Sequence, residues 1–127
     1  MDFLKNENYA IRKAMGEDYL RSKHPGEPWT IVRPVISLSK YRLDLYTHSR
    51  RAPLDAAKSG KSLPIPAIAK DLCAGLDWAG NSGKLIANLL FKPETFGEAY
   101  TVSSAQNLTW GEVADIYHEL IGLNIDW

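Results

Sequence analysis

Residues 9–20 read Tyr9-Ala10-Ile11-Arg12-Lys13-Ala14-Met15-Gly16-Glu17-Asp18-Tyr19-Leu20, and residues 29–34 read Trp29-Thr30-Ile31-Val32-Arg33-Pro34. The first run has the spacing of an amphipathic helix from about Asn8 to Lys23. Ala10, Ile11, Ala14, Met15 and Tyr19 fall on adjoining i,i+4 rows and form its expected buried face. His24-Pro25-Gly26 ends the helix, because proline cannot continue it and glycine suits the position past its last turn. The second run is β-branched, mostly apolar and closed by Pro34, so it reads as a short buried strand of a parallel α/β layer. A helix feeding such a strand makes the expected fold class α/β.

Within that helix Tyr9 and Lys13 stand four residues apart and share a face, with Gly16 along the flank where it leaves room for another group. An ammonium beside a phenol favours phenolate, which turns a side chain titrating near about pH 10 into a usable proton shuttle. Spacing alone makes Tyr9 and Lys13 an ordinary exposed pair. The flanking sequence decides whether it is more.

Downstream, residues 35–43 carry no clear period. A helix is expected over Leu45–Ser59, kinked or split at Pro53, with Gly60 and Leu63-Pro64-Ile65-Pro66 as a loop. Another helix is expected from an Asn81 or Ser82 cap to Phe91, with Leu85, Ile86, Leu89 and Leu90 as its stripe and Lys92-Pro93 as its stop. Glu98–Ser103 reads as a strand. Thr109-Trp110-Gly111-Glu112 is a capping box, followed by Val113, Ile116, Tyr117, Leu120 and Ile121 at helical spacing and by Gly122 as terminator. The order helix, strand, helix, helix, strand, helix fits a single domain over residues 1–127. It is short of strands for a sheet covered on both faces.

Fifteen acidic and fifteen basic side chains cancel, which argues against an electrostatic nucleic-acid binder. A single cysteine, Cys73, excludes an internal disulfide and fits a reducing compartment. No apolar run is long enough for a bilayer and the N-terminus has no signal-peptide core, so a cytoplasmic protein without membrane association is expected. His24, His48 and His118 are too scattered for a metal set, and no metal site is expected. Gly80-Asn81-Ser82-Gly83-Lys84 fails the phosphate-loop pattern, since Trp78 holds the first glycine position and Leu85 follows the lysine. Trp29, Trp78 and Trp110 are expected to serve packing.

The run from Tyr9 to Leu20 with Trp29–Pro34 resembles extended short-chain dehydrogenases of the NAD-dependent epimerase/dehydratase family. Phe96-Gly97-Glu98-Ala99-Tyr100-Thr101-Val102-Ser103-Ser104 and Leu108-Thr109-Trp110-Gly111-Glu112-Val113-Ala114-Asp115-Ile116-Tyr117 are similar to that family's C-terminal region, in the same order. The resemblance implies a partial Rossmann-like fold: the C-terminal half, with the substrate-binding region. It implies that Tyr9 is the general acid/base and that Lys13 holds the nicotinamide ribose and assists Tyr9. It implies further that Pro34, Val35 and Ile36 pass near the nicotinamide of NAD or NADP, and that Arg42, Arg50 and Arg51 meet polar groups of the substrate. Arginines beside a helix are otherwise surface charge.

The departures are as specific. No Gly-x-Gly-x-x-Gly or Gly-x-x-Gly-x-x-Gly follows an expected strand, so the N-terminal βαβ unit that cradles a pyrophosphate is missing from the match. The segment that carries the family's Ser/Thr partner of the tyrosine is also missing, and Asn81 stands where many relatives carry aspartate. Two readings follow. One is the acid/base and substrate side of an NAD(P)-dependent epimerase, dehydratase or reductase. It would act on a secondary alcohol or ketone of a small polar molecule such as a sugar nucleotide, with little dinucleotide affinity as an isolated chain. The other is a non-catalytic binding module that pairs with a second chain supplying the Rossmann half, or with itself through the Tyr9–Lys13 helix as a homodimer.

Overall fold

The computed structural model describes residues 3–48 and 51–127. In chain order the elements are α1 (Phe3–Lys23), β1 (Ile31–Pro34), β2 (Ile36–Leu38), α2 (Ala52–Lys58), β3 (Ser62–Pro64), β4 (Leu76–Trp78), α3 (Ala79–Leu89), β5 (Ala99–Val102), α4 (Trp110–Ile121) and β6 (Asn124–Asp126). The fold is mixed α/β, with six short strands in three two-stranded sheets: β1 with β5, β2 with β4, and β3 with β6. The pairs β2/β4 and β3/β6 are parallel, with Leu38 opposite Trp78 and Leu63 opposite Ile125. Parallel partners must be joined by a long crossover, which is why each pair here links residues far apart in the chain. No helix among the described residues is long and apolar enough to cross a membrane.

The chain divides into two compact units. The first comprises residues 1–33 and 86–101, the second residues 34–85 and 102–127. In the first unit, α1 ends where expected and begins one turn and more earlier, at Phe3. Its expected buried face is not buried: Ala10, Ile11, Ala14, Met15 and Tyr19 are all exposed. Helical period records which residues would share a face but not whether a partner covers it. Nothing lies within 4 Å of the position a Cβ would take at Gly16 either. The unit is held instead around β1. Ile31 is buried and its N–H donates to the Glu98 carbonyl at 2.9 Å, and Thr30 Oγ1 donates to the Thr95 carbonyl at 2.9 Å. The indole of Trp29 is half-buried and donates to the His24 carbonyl at 2.8 Å, so this tryptophan does bind the end of α1 to the approach of β1.

The second unit has the apolar core: Leu45, Ala56, Ile65, Ala69, Ala74, Trp110, Val113, Ala114 and Leu123. Trp110 fills it as expected and meets Tyr46 edge-to-face at 5.9 Å. The expected capping box of α4 is present: Thr109 Oγ1 accepts from Glu112 N–H at 3.2 Å, and Glu112 Oε2 accepts from Thr109 N–H at 2.7 Å. Gly122 ends α4 at φ +70°, a left-handed position that glycine takes without steric cost. Three expectations need correction. The 45–59 helix is confined to Ala52–Lys58, because Pro53 is tolerated in a first turn where no N–H is required. The 63–66 loop contains β3, whose partner β6 lies some sixty residues on. Asn81 and Ser82 lie inside α3, which starts at Ala79, and so do not cap it.

Candidate functional site

In the first unit the helix brings Tyr9 and Lys13 together as the spacing requires. Lys13 Nζ lies 5.5 Å from the centroid of the Tyr9 ring, within cation–π range, and Tyr9 is 68% exposed. The Tyr9 side chain is therefore open to solvent. The next residue on this i,i+4 row is Glu17, the one described α1 side chain among the acidic and basic groups that is substantially covered. Arg33 Nε donates to Glu17 Oε1 at 2.8 Å, and Arg33 Nη2 pairs with Oε2, a fork-to-fork arrangement. Arg21 Nη2 adds a bond to the same oxygen at 3.2 Å. The hydrogen bond from Arg33 is the chief reason that the Glu17 carboxyl sits below its ordinary range, with the charges of Arg33 and Arg21 adding to it. The sequence carried this contact only as an acid one turn past Lys13 and an arginine before a proline.

In the second unit the remaining expected site residues lie apart in role. Val35 N–H donates to the Val102 carbonyl at 3.3 Å and Ile36 N–H to the Gly75 carbonyl at 3.0 Å, so both backbone donors are used in pairing. Pro34 closes β1 and offers no donor. Arg42 is drawn back to Asp44, a buried carboxylate, at 2.7 Å. Arg51 is exposed at the N-cap position of α2 and makes no side-chain cap there. Arg50 lies outside the described residues. The arginine set is therefore not a formed anion site among the described residues.

The sequence reading missed Asp77. It is 3% exposed, accepts from Asn81 Nδ2 at 3.1 Å and from Ser104 Oγ at 2.9 Å on one oxygen, and from Ser104 N–H at 3.1 Å on the other. Burial pushes this carboxyl up, but the hydrogen bonds from Asn81, Ser104 and the Trp78 backbone outweigh it, and the net shift is downward. Asn81, expected as a replacement for a family aspartate, is instead a donor to this buried acid. Beside it runs an apolar groove of about 380 Å³, lined by Leu38, Trp78, Leu108, Ile116, Tyr117 and Leu120 among others. Ile116 and Leu120, expected in the core face of α4, line this groove, and Trp78 is half exposed in it rather than packed away. Burial and the nearby Asp44 charge raise the Tyr117 phenol.

The three histidines make separate local contacts: His24 with Glu27, His48 with the Pro64 carbonyl and His118 with the Leu123 carbonyl. No group of three or more His, Cys, Asp or Glu side chains that could hold a metal occurs among the described residues. The Gly80–Gly83 run lies within α3, and the space that Gly80 leaves by lacking a Cβ is taken by the Trp78 ring. No protein-family model, curated protein or solved structure matches the chain.

Proposed function

We propose that this chain carries the acid/base and substrate side of an NAD(P)-dependent epimerase, dehydratase or reductase of the extended short-chain dehydrogenase type. In this reading its α/β fold is the C-terminal half of a Rossmann-like architecture. The observation that carries the reading is the convergence of Lys13 Nζ on the ring of Tyr9, on an open helix face, ahead of a strand that ends in Arg33-Pro34. Tyr9 Oη exchanges a proton with the hydroxyl or carbonyl oxygen of a small polar substrate such as a sugar nucleotide. Lys13 stabilises the anionic side of that exchange. Hydride transfer would belong to a dinucleotide that these residues do not hold by themselves.

The test has two arms. Calorimetric titration of the isolated chain with NAD and with NADP is expected to show no binding tighter than about millimolar, because the cradle that supplies most of the contacts is lacking. Micromolar affinity would overturn the incomplete-site reading. Joining the Gly-rich half of an extended short-chain dehydrogenase upstream is expected to restore dinucleotide binding and turnover.

A second reading is favoured by the uncovered apolar side chains Ile11, Met15 and Tyr19 on α1. On it, the chain is an interaction module that pairs with a Rossmann-half polypeptide or with a second copy. Light scattering after size exclusion separates the two readings: a stable monomer at high concentration counts against pairing with itself.

A further inference from the structure

We propose that Glu17 is a positioning residue, whose forked pair with Arg33 fixes the rotation of α1 and with it the direction in which Tyr9 and Lys13 point. The inference rests on the acid/base reading of that pair for its chemical meaning, but its geometry stands by itself. Three observations carry it. Tyr9, Lys13 and Glu17 occupy successive i,i+4 positions, so turning the helix at Glu17 turns the other two with it. Among the α1 residues whose burial is described, 8–23, none is fully buried, and Glu17 and Leu20 are half-buried. Two polar contacts reach the described part of α1 from the rest of the unit: the Trp29 indole on the His24 carbonyl, at the helix end, and Arg33 on Glu17, along its side.

The two contacts do different work. A bond at the C-terminal carbonyl fixes where the helix ends but leaves it free to turn about its axis. A bidentate pair on its flank, from an arginine in a strand, removes that freedom. An exposed single-point ion pair would do little of this, since such pairs contribute almost nothing to stability. Here two guanidinium nitrogens of Arg33 engage both carboxylate oxygens and Arg21 adds a third bond; the Glu17 side chain is 20% exposed and that of Arg33 51%. The strand end is itself anchored, because Ile31 two residues earlier is buried and bonded to Glu98.

The experiment measures backbone N–H residual dipolar couplings on the isotope-labelled full chain. In the unaltered protein, couplings of residues 9–23 are expected to fit the same alignment as residues 31–33 and 99–101. Glu17→Ala is expected to shrink the α1 couplings and to speed amide exchange in α1 by about fivefold, while the strand couplings stay put. Alanine is the stronger helix former, so lost helix propensity does not explain such a result. The charge-exchanged pair Glu17→Arg with Arg33→Glu is expected to restore the common alignment, a rescue that a merely structural change at either position would not give. Unchanged α1 couplings in Glu17→Ala would overturn the proposal. So would a charge exchange that fails to restore them while the rest of the spectrum is native. In the fused enzyme, Glu17→Ala is expected to lower kcat with KM for the dinucleotide held. If Tyr9→Phe leaves turnover unchanged while Glu17→Ala still frees the helix, the acid/base reading fails and the positioning role stands.

Discussion

Helices α1 and α4 are the two long helices whose period and terminators are plain in the sequence, yet they are held by opposite means. Helix α4 buries Trp110, Gly111, Val113 and Ala114, carries a capping box at one end and a left-handed glycine at the other. Helix α1 has no fully buried side chain among residues 8–23, and the Trp29 indole and the forked Arg33–Glu17 pair reach it from the rest of its unit. The difference teaches that helical period is a statement about the helix, whereas burial is a statement about its neighbours. It also bears on the proposed chemistry. The helix built into a core is the rigid frame of its unit. The helix left open is the one whose Tyr9 and Lys13 a substrate could reach.

Substitutions should break this contrast in a definite order. Trp110→Ala removes the largest ring of the second unit's core and is expected to cost about 3–5 kcal/mol, read as the shift of the urea midpoint. Asp77→Ala leaves the Ser104 N–H and hydroxyl without their acceptor and is expected to cost about 2 kcal/mol in the same assay. Thr109→Ala opens the capping box and is expected to cost about 1 kcal/mol. Tyr9→Phe, on the exposed face of α1, is expected to move stability by less than about 0.5 kcal/mol. A large loss there would mean that α1 is packed as α4 is, and the contrast would fail.

Acid should sharpen the same comparison. The Glu17 carboxyl is depressed by Arg33, so its contribution is present above the ordinary carboxylate value of about 4 and lost as pH falls through its lowered folded value. Amide protection in α1, measured against the intrinsic exchange rate at each pH, is therefore expected to fall below about pH 4, where Glu17 gains a proton while Arg33 and Arg21 keep theirs. Asp77 behaves with the same sign, because its hydrogen bonds hold it below its ordinary value despite burial. The second unit should lose stability over the same acidic range. Unchanged amide protection in α1 between pH 7 and about pH 3, after correction for the intrinsic exchange rate at each pH, would show that the ion pair does not hold the helix.

The features legible in the sequence are those whose partners are near in the chain. Thr109 and Glu112 cap one another across three residues, and the expected box is present. Tyr9 and Lys13 meet within one turn. Features that needed a distant partner were not legible. Ser62-Leu63-Pro64 carries two punctuating prolines nearby and becomes a strand only because Asn124–Asp126 lies alongside it. Asp77 has one local partner in Asn81, but Ser104, which binds both of its oxygens, is far along the chain. Arg33 and Glu17 were each visible as charges, and nothing in a helix period or a strand pattern joins them. Arg42, which the resemblance placed near substrate and which otherwise read as surface charge, pairs with Asp44 two residues away, a contact that hydropathy patterns do not register.

The open helix carries the proposed chemistry, so the decisive measurement is made there. Dinucleotide reduction is followed at the nicotinamide absorbance band in the fusion that supplies the Gly-rich half, with secondary alcohols as substrates, for the parent sequence and for Tyr9→Phe. The account expects turnover in the parent and a loss of about a hundredfold or more in the variant, the usual contribution of a positioned general acid/base. Equal turnover in the two proteins would contradict it.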